Sequence, residues 1–168
     1  MGYGYRRATP ADLDRIWDKN MAANPGDPAW QSWRIDYLRY NREGLAETFV
    51  VLCDGDPVGE ATLLLSPECG AIDGRLALCD GARVANVNAL RIEKAHEGRG
   101  CISRLVGMLE RAAAARGITT LTIGVDAHET RNLAIYLHWG YTRFVMSEME
   151  DGCPVLYYAK DVRDTSDA

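Results

Sequence analysis

The sequence lacks the features that mark membrane proteins, secreted proteins and proteins held on nucleic acid by charge. No apolar run approaches the ~20 residues that a membrane-spanning helix needs, and residues 1–9 contain no apolar segment of the kind found in signal peptides. Acidic residues outnumber basic ones, and the net charge is −5. This argues against a basic surface that binds nucleic acid. We therefore expect a cytoplasmic protein that binds neither nucleic acid nor membrane.

Cysteine is present but lacks the spacing of a metal site or a disulfide framework. The five cysteines include no CxxC pair, their number is odd, and the three histidines are scattered, so no metal ligands are predicted. Reduced and mostly buried thiols are the expected state, because cysteine behaves as a small apolar residue. The cysteines are Cys53, Cys69, Cys79, Cys101 and Cys153.

Hydrophobic periodicity predicts an α/β (α+β) protein of one domain. A chain of 168 residues suffices for one core, which we expect to span residues 1–160, followed by a polar tail at 161–168. Residues 66–81 contain three glycines and two cysteines and are predicted to form a loose loop. Strands are predicted at 3–8, 47–53, 57–65, 82–93, 119–125, 141–148 and 155–160, and helices at 11–20, 29–42, 100–116 and 130–139.

Local signals define the ends of two of these elements. Thr9 followed by Pro10 predicts the start of the first helix, since threonine caps helices and proline suits the first helical position. The run Asp54-Gly55-Asp56 predicts a tight hairpin between the second and third strands. Four aromatic residues at helical spacing on the second helix are more typical of core than of a ligand site, but they are also placed to form a substrate wall. They are Trp30, Trp33, Tyr37 and Tyr40.

The most informative stretch is ALRIEKAHEGRGCIS, residues 89–103, in which a strand passes through a glycine turn into a helix. Gly98 and Gly100 allow a ligand to approach the backbone closely, because they carry no Cβ atom. The N-terminus of the following helix presents unpaired N–H groups and the positive end of its dipole. Strand, turn and helix together predict an anion site, most often for phosphate.

Two common phosphate-binding motifs do not fit this stretch. A nucleotide P-loop requires GxxxxGK followed by serine or threonine, and the sequence contains no such run. A dinucleotide fingerprint requires GxGxxG, whereas the run that begins at Gly98 ends in Ser103. It also lies late in the chain rather than in an early βαβ unit.

The C-terminal half resembles the GNAT superfamily of acyl-CoA-dependent N-acyltransferases over roughly residues 86–144. Residues 89–106 (ALRIEKAHEGRGCISRLV) are similar to the family's coenzyme A loop, usually Gln/Arg-x-x-Gly-x-Gly/Ala. After a predicted strand (LTIGV), residues 131–141 (RNLAIYLHWGY) are similar to the family's Leu-Tyr-x-x-x-Gly-Phe/Tyr segment. The matching positions are Glu97, Gly100 and Ile102 in the loop, and Ile135, Tyr136, Gly140 and Tyr141 in the second segment.

Two residues depart from the family pattern in the loop. Glu97 replaces a basic or amide residue and brings an anion to a pyrophosphate site, and Ile102 replaces a small residue at the helix start. Arg99, Arg104 and the backbone N–H groups of residues 99–103 remain available for the phosphates.

The resemblance implies a mixed, mostly antiparallel central sheet of about seven strands flanked by about four helices. It also implies acetyl-CoA (coenzyme A) as the cofactor, with backbone amides near residues 90–92 holding the pantetheine and polarising the thioester carbonyl. The cofactor-binding residues expected from it are Leu90, Arg91, Ile92, Glu97, Gly98, Arg99, Gly100, Cys101, Ile102, Ser103 and Asn132.

In this family the amine attacks the thioester directly, which places Tyr136 beside the departing thiolate. The general base is less defined: Glu60 is the first candidate, and Asp126 is another. Asn86 and Asn88 cannot accept the proton but can position a water molecule. His128 and His138 are interpreted as ordinary surface residues. The expected substrate-binding residues are Trp30, Trp33, Asn86 and Asn88.

The expected acceptor is a primary amine of a small molecule, with aminoglycosides as one option beside polyamines, amino acids and protein N-termini. A homodimer is left open, because dimers are common in the family. One alternative is a degenerate domain that binds coenzyme A or a partner without transfer. A second is an enzyme that uses Cys101, at a helix N-terminus, as a nucleophile with His96 or His128 as its base.

Overall fold

The computed structural model describes residues 2–163, which form a mixed sheet of seven strands together with four α-helices. The strands lie in the order β1-β2-β3-β4-β5-β7-β6. β4 and β5 are parallel, while β1 and β2, β5 and β7, and β6 and β7 pair antiparallel. The elements are β1 (Tyr3–Arg7), α1 (Pro10–Ala23), α2 (Pro28–Glu43), β2 (Ala46–Cys53), β3 (Asp56–Leu64), β4 (Val84–Ile92), α3 (Cys101–Ala115), β5 (Thr120–Asp126), α4 (Thr130–His138), β6 (Arg143–Glu150) and β7 (Cys153–Asp161).

This architecture confirms the predicted fold class, and most predicted elements end within three residues of the observed ones. The predicted polar tail begins one residue early, because Asp161 still belongs to β7 and the next N–H, on Val162, donates to Thr119 O at 2.9 Å. The rest of that tail, beyond residue 163, lies outside the described residues. None of the helices in the described part of the chain has the length and apolar character needed to cross a membrane.

Backbone contacts divide the chain into two compact units. Of the described residues, 2–63 and 89–109 form unit 1, and 64–88 and 110–163 form unit 2. The single domain expected from the sequence for residues 1–160 stays a prediction.

In unit 1, α1 begins after Thr9 as the sequence predicts, and the structure adds a capping box. Asp12 N–H donates to Thr9 Oγ1 at 3.1 Å, and Thr9 N–H donates back to the Asp12 carboxylate at 3.0 Å. Arg6 donates two further bonds to the same carboxylate, at 2.9 and 2.8 Å. The bonds from Arg6 contribute most, and those with Thr9 add to them, so the pKa of Asp12 lies below its ordinary value.

The aromatic row of α2 divides between core and surface. Tyr37 and Tyr40 are buried, and the Tyr37 ring lies 5.4 Å from that of Trp17, which is itself fully buried. Trp33, in contrast, is 42% exposed and packs edge-on against Trp30. Tyr37 and Tyr40 are therefore core residues, which is the interpretation that the helical spacing favours for the row.

In unit 2, residues 66–81 lack regular strands and helices, as predicted, but they are not loose. Cys69, Ile72, Leu78 and Cys79 are fully buried. The segment ends at Asp80, whose carboxylate accepts N–H groups from three successive residues at 2.8–2.9 Å. This loop supplies part of the core of unit 2.

Strand β4 contains a local interruption that the sequence does not show. Ala89 has a left-handed backbone with φ of 52°, and the parallel register with β5 runs only from Val84–Thr120 to Val87–Ile123 within the described residues. A left-handed residue breaks the alternation of a strand. The regular alternation of side chains between the two faces of the sheet is therefore interrupted at Ala89.

The five cysteines behave largely as expected. No disulfide joins them in the described residues. Cys69, Cys79 and Cys101 are buried, whereas Cys53 and Cys153 are half-buried.

Candidate active site

The turn before α3 has the geometry of an anion site. Gly98 and Gly100 both adopt left-handed backbones, with φ of 72° and 77°, and a Cβ atom at either position would meet nothing within 4 Å. The first bond of the helix, from Arg104 N–H to Gly100 O, measures 3.1 Å. The N–H groups of the first turn therefore have no intrahelical acceptor. They adjoin an exposed, side-chain-free backbone that fits a pyrophosphate.

Side chains of β1 anchor this turn within unit 1. Tyr3 Oη lies 2.7 Å from His96 Nδ1 in a hydrogen bond, and the Arg104 guanidinium stacks 4.4 Å from the Tyr5 ring centre. Burial and a hydrogen bond with Cys101 raise the pKa of Tyr5 to about 12. Cys101 itself is only 2% exposed, which disfavours it as a nucleophile for an incoming substrate.

The residues predicted to contact the cofactor differ in exposure along this turn. Glu97, Arg99 and Ser103 are exposed, and Ile102 is half-buried. The isoleucine that replaces a small family residue therefore packs partly inward, and the glutamate that replaces a basic one lies in solvent.

A cleft of about 630 Å³ lies in unit 1 beside this turn. Residues from α1, α2, β3, β4 and the segment after β4 line it. They are Ile16, Lys19, Asn20, Ala23, Asn24, Trp30, Val58, Gly59, Leu90, Arg91, Ile92, Glu93, Lys94 and Glu97. The predicted cofactor strand, residues 90–92, and the predicted substrate residue Trp30 therefore share one cleft.

Glu60 and Arg91 form an internal ion pair at this cleft. Glu60 is 0% exposed; one of its oxygens accepts from Arg91 Nη2 at 2.8 Å and the other from Asn20 Nδ2 at 3.0 Å. The Arg91 guanidinium also lies 4.7 Å from the Trp17 ring centre and 5.1 Å from that of Trp30. The pair fixes the orientation of a guanidinium in the cleft wall.

One nitrogen of the Arg91 side chain makes no hydrogen bond within the described residues. Arg91 Nε is buried and has no hydrogen-bond partner in residues 2–163. Lys19, on the same wall, is fully engaged, since its Nζ contacts Asp56, the Pro57 carbonyl and Glu93 at 2.5–2.8 Å. The wall thus offers a cation whose hydrogen-bonding capacity is not exhausted by the protein.

The two asparagines predicted to bind substrate lie in unit 2 and form a hydrogen-bond chain there. Asn88 Nδ2 donates to Asn86 Oδ1 at 3.1 Å, and Asn86 Nδ2 donates to Thr122 Oγ1 at 2.9 Å. The Thr122 hydroxyl donates in turn to Leu78 O at 2.7 Å. Asn86 is buried, so its amide is committed to the interior of this unit.

Tyr136 lies half-buried on α4, with its ring 5.6 Å from Trp139. Burial, and secondarily the charge of Glu129, raise its pKa, so its hydroxyl keeps its proton at neutral pH. Asn132, one turn earlier, donates to the Glu129 carboxylate. Tyr141 is fully buried, and its hydroxyl has no partner in the described residues.

Of the predicted site residues, Trp30, Glu97 and residues 90–92 line this cleft, whereas Trp33, Asn86 and Asn88 do not. Lys19, Asn20 and Asn24 line it without having been predicted. These three lie at the end of α1 and just beyond it, where no motif distinguishes them from ordinary polar residues of a helix surface.

The comparisons with known proteins agree with this arrangement. Residues 13–141, or 129 of the 168, match the family model described as acetyltransferase (GNAT) family. No curated protein matches the chain.

Solved structures match nearly the whole chain at low identity. An N-acetyltransferase from Staphylococcus aureus Mu50 superposes with a TM-score of 0.71 at 18% identity, over 96% of this chain and 99% of its own. The putative acetyltransferase yncA from Salmonella typhimurium, solved with acetyl-CoA, gives 0.69 at 13%, over 96% and 94%. A ribosomal-protein-alanine N-acetyltransferase from Brucella melitensis gives 0.68 at 17%, over 95% and 99%. Identities this low show the shared fold alone.

Proposed function

Because the chain belongs to the acetyltransferase (GNAT) family, we propose that it transfers an acetyl group from acetyl-CoA to a primary amine. The observation that carries the proposal is the pair of left-handed glycines, Gly98 and Gly100, at the N-terminus of α3. They leave a stretch of exposed backbone N–H groups without covering side chains, which suits a pyrophosphate.

The turn and the end of β4 would hold the cofactor. The N–H groups of residues 99–103 bind the pyrophosphate, supported by the exposed guanidinium of Arg99 and by Arg104. Backbone amides of Leu90–Ile92, beyond the interruption at Ala89, orient the pantetheine and the thioester carbonyl. The cofactor supplies an activated acetyl thioester, so no covalent enzyme intermediate is needed.

Tyr136 is proposed to protonate the departing thiolate, on the strength of its position in the second family segment. Its raised pKa keeps the phenol protonated over the working pH range. Glu60 is the first candidate for the general base. Both of its oxygens already accept hydrogen bonds, from Arg91 and from Asn20, which supports a role in positioning Arg91 more than a role in accepting the proton of the amine.

The acceptor is proposed to be a small molecule. A cleft of about 630 Å³ is in the range that encloses small ligands, and the Arg91 guanidinium, 27% exposed in its wall, favours an acceptor that carries an oxygen near its amine. A protein N-terminus is the competing class, because one protein of similar fold is named as a ribosomal-protein-alanine N-acetyltransferase.

Calorimetry with acetyl-CoA, followed by a thiol-release assay on a panel of amines and N-terminal peptides, tests the proposal. Gly100→Ala should weaken acetyl-CoA binding at least ~10-fold, because it adds a side chain at the phosphate turn and strains a left-handed backbone by about 1 kcal/mol. Gly74→Ala is the matched control: Gly74 has a similar left-handed φ, 72° against 77° at Gly100, and open space around it, but lies in the loop of unit 2.

The outcomes separate the alternatives. Equal weakening by both variants, or no binding of acetyl-CoA by the wild type, would contradict the proposal. Tight binding with no thiol release across the panel would support a degenerate domain that binds coenzyme A without transfer.

A further inference from the structure

Three metal-ligating side chains meet in unit 2, where β5 ends and β7 begins. Asp126 is the last residue of β5, His128 follows two residues later, and Cys153 is the first residue of β7. One ligand atom from each lies within 4.8 Å of the other two. In residues 2–163 no other group of three histidine, cysteine, aspartate or glutamate side chains meets this condition.

The backbone holds these residues in place. Asp126 pairs with Val155 in the β5–β7 ladder, and the next N–H, on Ala127, donates to Pro154 O at 2.9 Å. Glu129 N–H closes the turn onto Asp126 O at 2.9 Å. The three ligands thus belong to two hydrogen-bonded segments rather than to a mobile loop.

The distances between the three ligand atoms suit a metal ion with tetrahedral coordination. His128 Nδ1 lies 3.1 Å from Asp126 Oδ1, and nitrogen and oxygen ligands at tetrahedral positions of a zinc ion lie about 3.3 Å apart. A thiolate sulfur on the same ion would lie about 3.5 Å from either atom. Cys153 Sγ lies within 4.8 Å of both of these atoms.

The local charge is negative. The Cys153 thiol is hydrogen-bonded to the Asp126 carboxylate, and the charge of Asp151 also acts on it. Two carboxylates near the thiol attract a cation, and a bound cation stabilises the thiolate.

We propose that Asp126, His128 and Cys153 bind a zinc ion. Thiolate, imidazole and carboxylate are the ligands that zinc takes in proteins, and three of them leave the fourth position for water. The His128 side chain is 76% exposed, so solvent reaches the site. On binding, the Cys153 S–H proton passes to solvent as the Zn–S bond forms. The site cannot be recognised from the sequence alone, because Cys153 lies 25 residues beyond His128.

Cobalt(II) titration of the metal-free protein is the test, because a bound thiolate gives a charge-transfer band in the near ultraviolet. We expect one equivalent to bind, with the band lost on addition of zinc. Cys153→Ser should abolish the band, and Cys53→Ser, which changes the other half-buried cysteine, should retain it. His128→Asn should weaken binding by more than the ~10–100-fold typical of losing an outer-shell partner.

Thermal unfolding gives a second readout that does not depend on acetyl transfer. Zinc should raise the unfolding midpoint of the wild type and of Cys53→Ser, but not of Cys153→Ser or Asp126→Asn. Comparing midpoints without metal shows whether each variant is folded. Absence of a stoichiometric band, its survival in Cys153→Ser, or its loss in Cys53→Ser would overturn the proposal.

Discussion

Glu60 in unit 1 and Asp126 in unit 2 are both carboxylates on β-strands, but they are stabilised by different partners. Glu60 is fully buried and accepts hydrogen bonds from the Arg91 guanidinium and the Asn20 amide. Asp126 is partly exposed and accepts the N–H of His128 at 2.8 Å, which contributes most to the lowering of its pKa. One carboxylate is neutralised by a cation, and the other is held by a backbone dipole.

The difference separates two roles for an acidic residue. A buried carboxylate whose two oxygens accept bonds from a guanidinium and an amide fixes the geometry of its partners. A carboxylate held by a backbone N–H and a thiol keeps its negative charge and can attract a cation. The geometry therefore favours a positioning role for Glu60 and a cation-binding role for Asp126.

Breaking the pair in unit 1 should have the largest effect. Arg91→Met leaves Glu60 buried without its cation, so we expect the free energy of unfolding to fall by about 3–5 kcal/mol. Urea unfolding followed by circular dichroism measures it.

Two controls accompany this variant. Arg91→Met combined with Glu60→Gln should recover part of the loss, because no charge is then left buried. Arg39→Met removes a guanidinium that also lies over a tyrosine ring and pairs with Glu43, but in an exposed i,i+4 position; it should cost less than about 1 kcal/mol. An unchanged midpoint in Arg91→Met would show that Glu60 is satisfied without it.

Two tyrosines extend the comparison to neutral groups in unit 2. Tyr136→Phe should lower turnover about 10²-fold, a loss typical of removing a general acid, with little change in the unfolding midpoint. Thiol release at saturating acetyl-CoA measures it. Tyr141→Phe is the matched control, because its hydroxyl has no partner in the described residues; activity should be retained. Equal turnover in wild type and Tyr136→Phe would remove that tyrosine from the mechanism.

A smaller effect is expected at Asp12, a second buried carboxylate of unit 1 that accepts bonds from a guanidinium. Asp12→Asn weakens the capping box and the bonds from Arg6, so it should cost about 1–2 kcal/mol at neutral pH. Because the pKa of Asp12 is lowered on folding, its stabilisation is present above the unfolded value of about 3.9 and is lost as pH falls through the folded value. The gap between variant and wild type in urea should close in that range, and a gap independent of pH would contradict this reasoning.

Short-range signals in the sequence predicted much of the fold. Thr9 and Pro10 begin α1 where expected, and the glycines at 98 and 100 adopt the left-handed backbone that their placement suggests. Such features depend on residues within one turn of each other, so they can be recognised locally.

Long-range and sterically unusual features could not be predicted in this way. Glu60 and Arg91 meet across 31 residues, and no pattern links them. Ala89 adopts a left-handed backbone although alanine has no preference for it, so no glycine in the sequence marks the interruption of β4. The glycines of residues 66–81 predict a loose loop, because such a composition is typical of turns. Tertiary packing instead buries several of its side chains in the core of unit 2.

Because the five thiols differ in burial, their rates of chemical modification report local opening of the folded protein. A thiol-reactive dye should modify the two half-buried thiols first, Cys53 and Cys153. The buried thiols should react only when their surroundings unfold: Cys69 and Cys79 in unit 2, and Cys101 in unit 1. Burial also raises the pKa of Cys79 to about 11, which slows its reaction further. Mass spectrometry of the labelled peptides would then report, from one sample without mutation, whether the two units open together or separately.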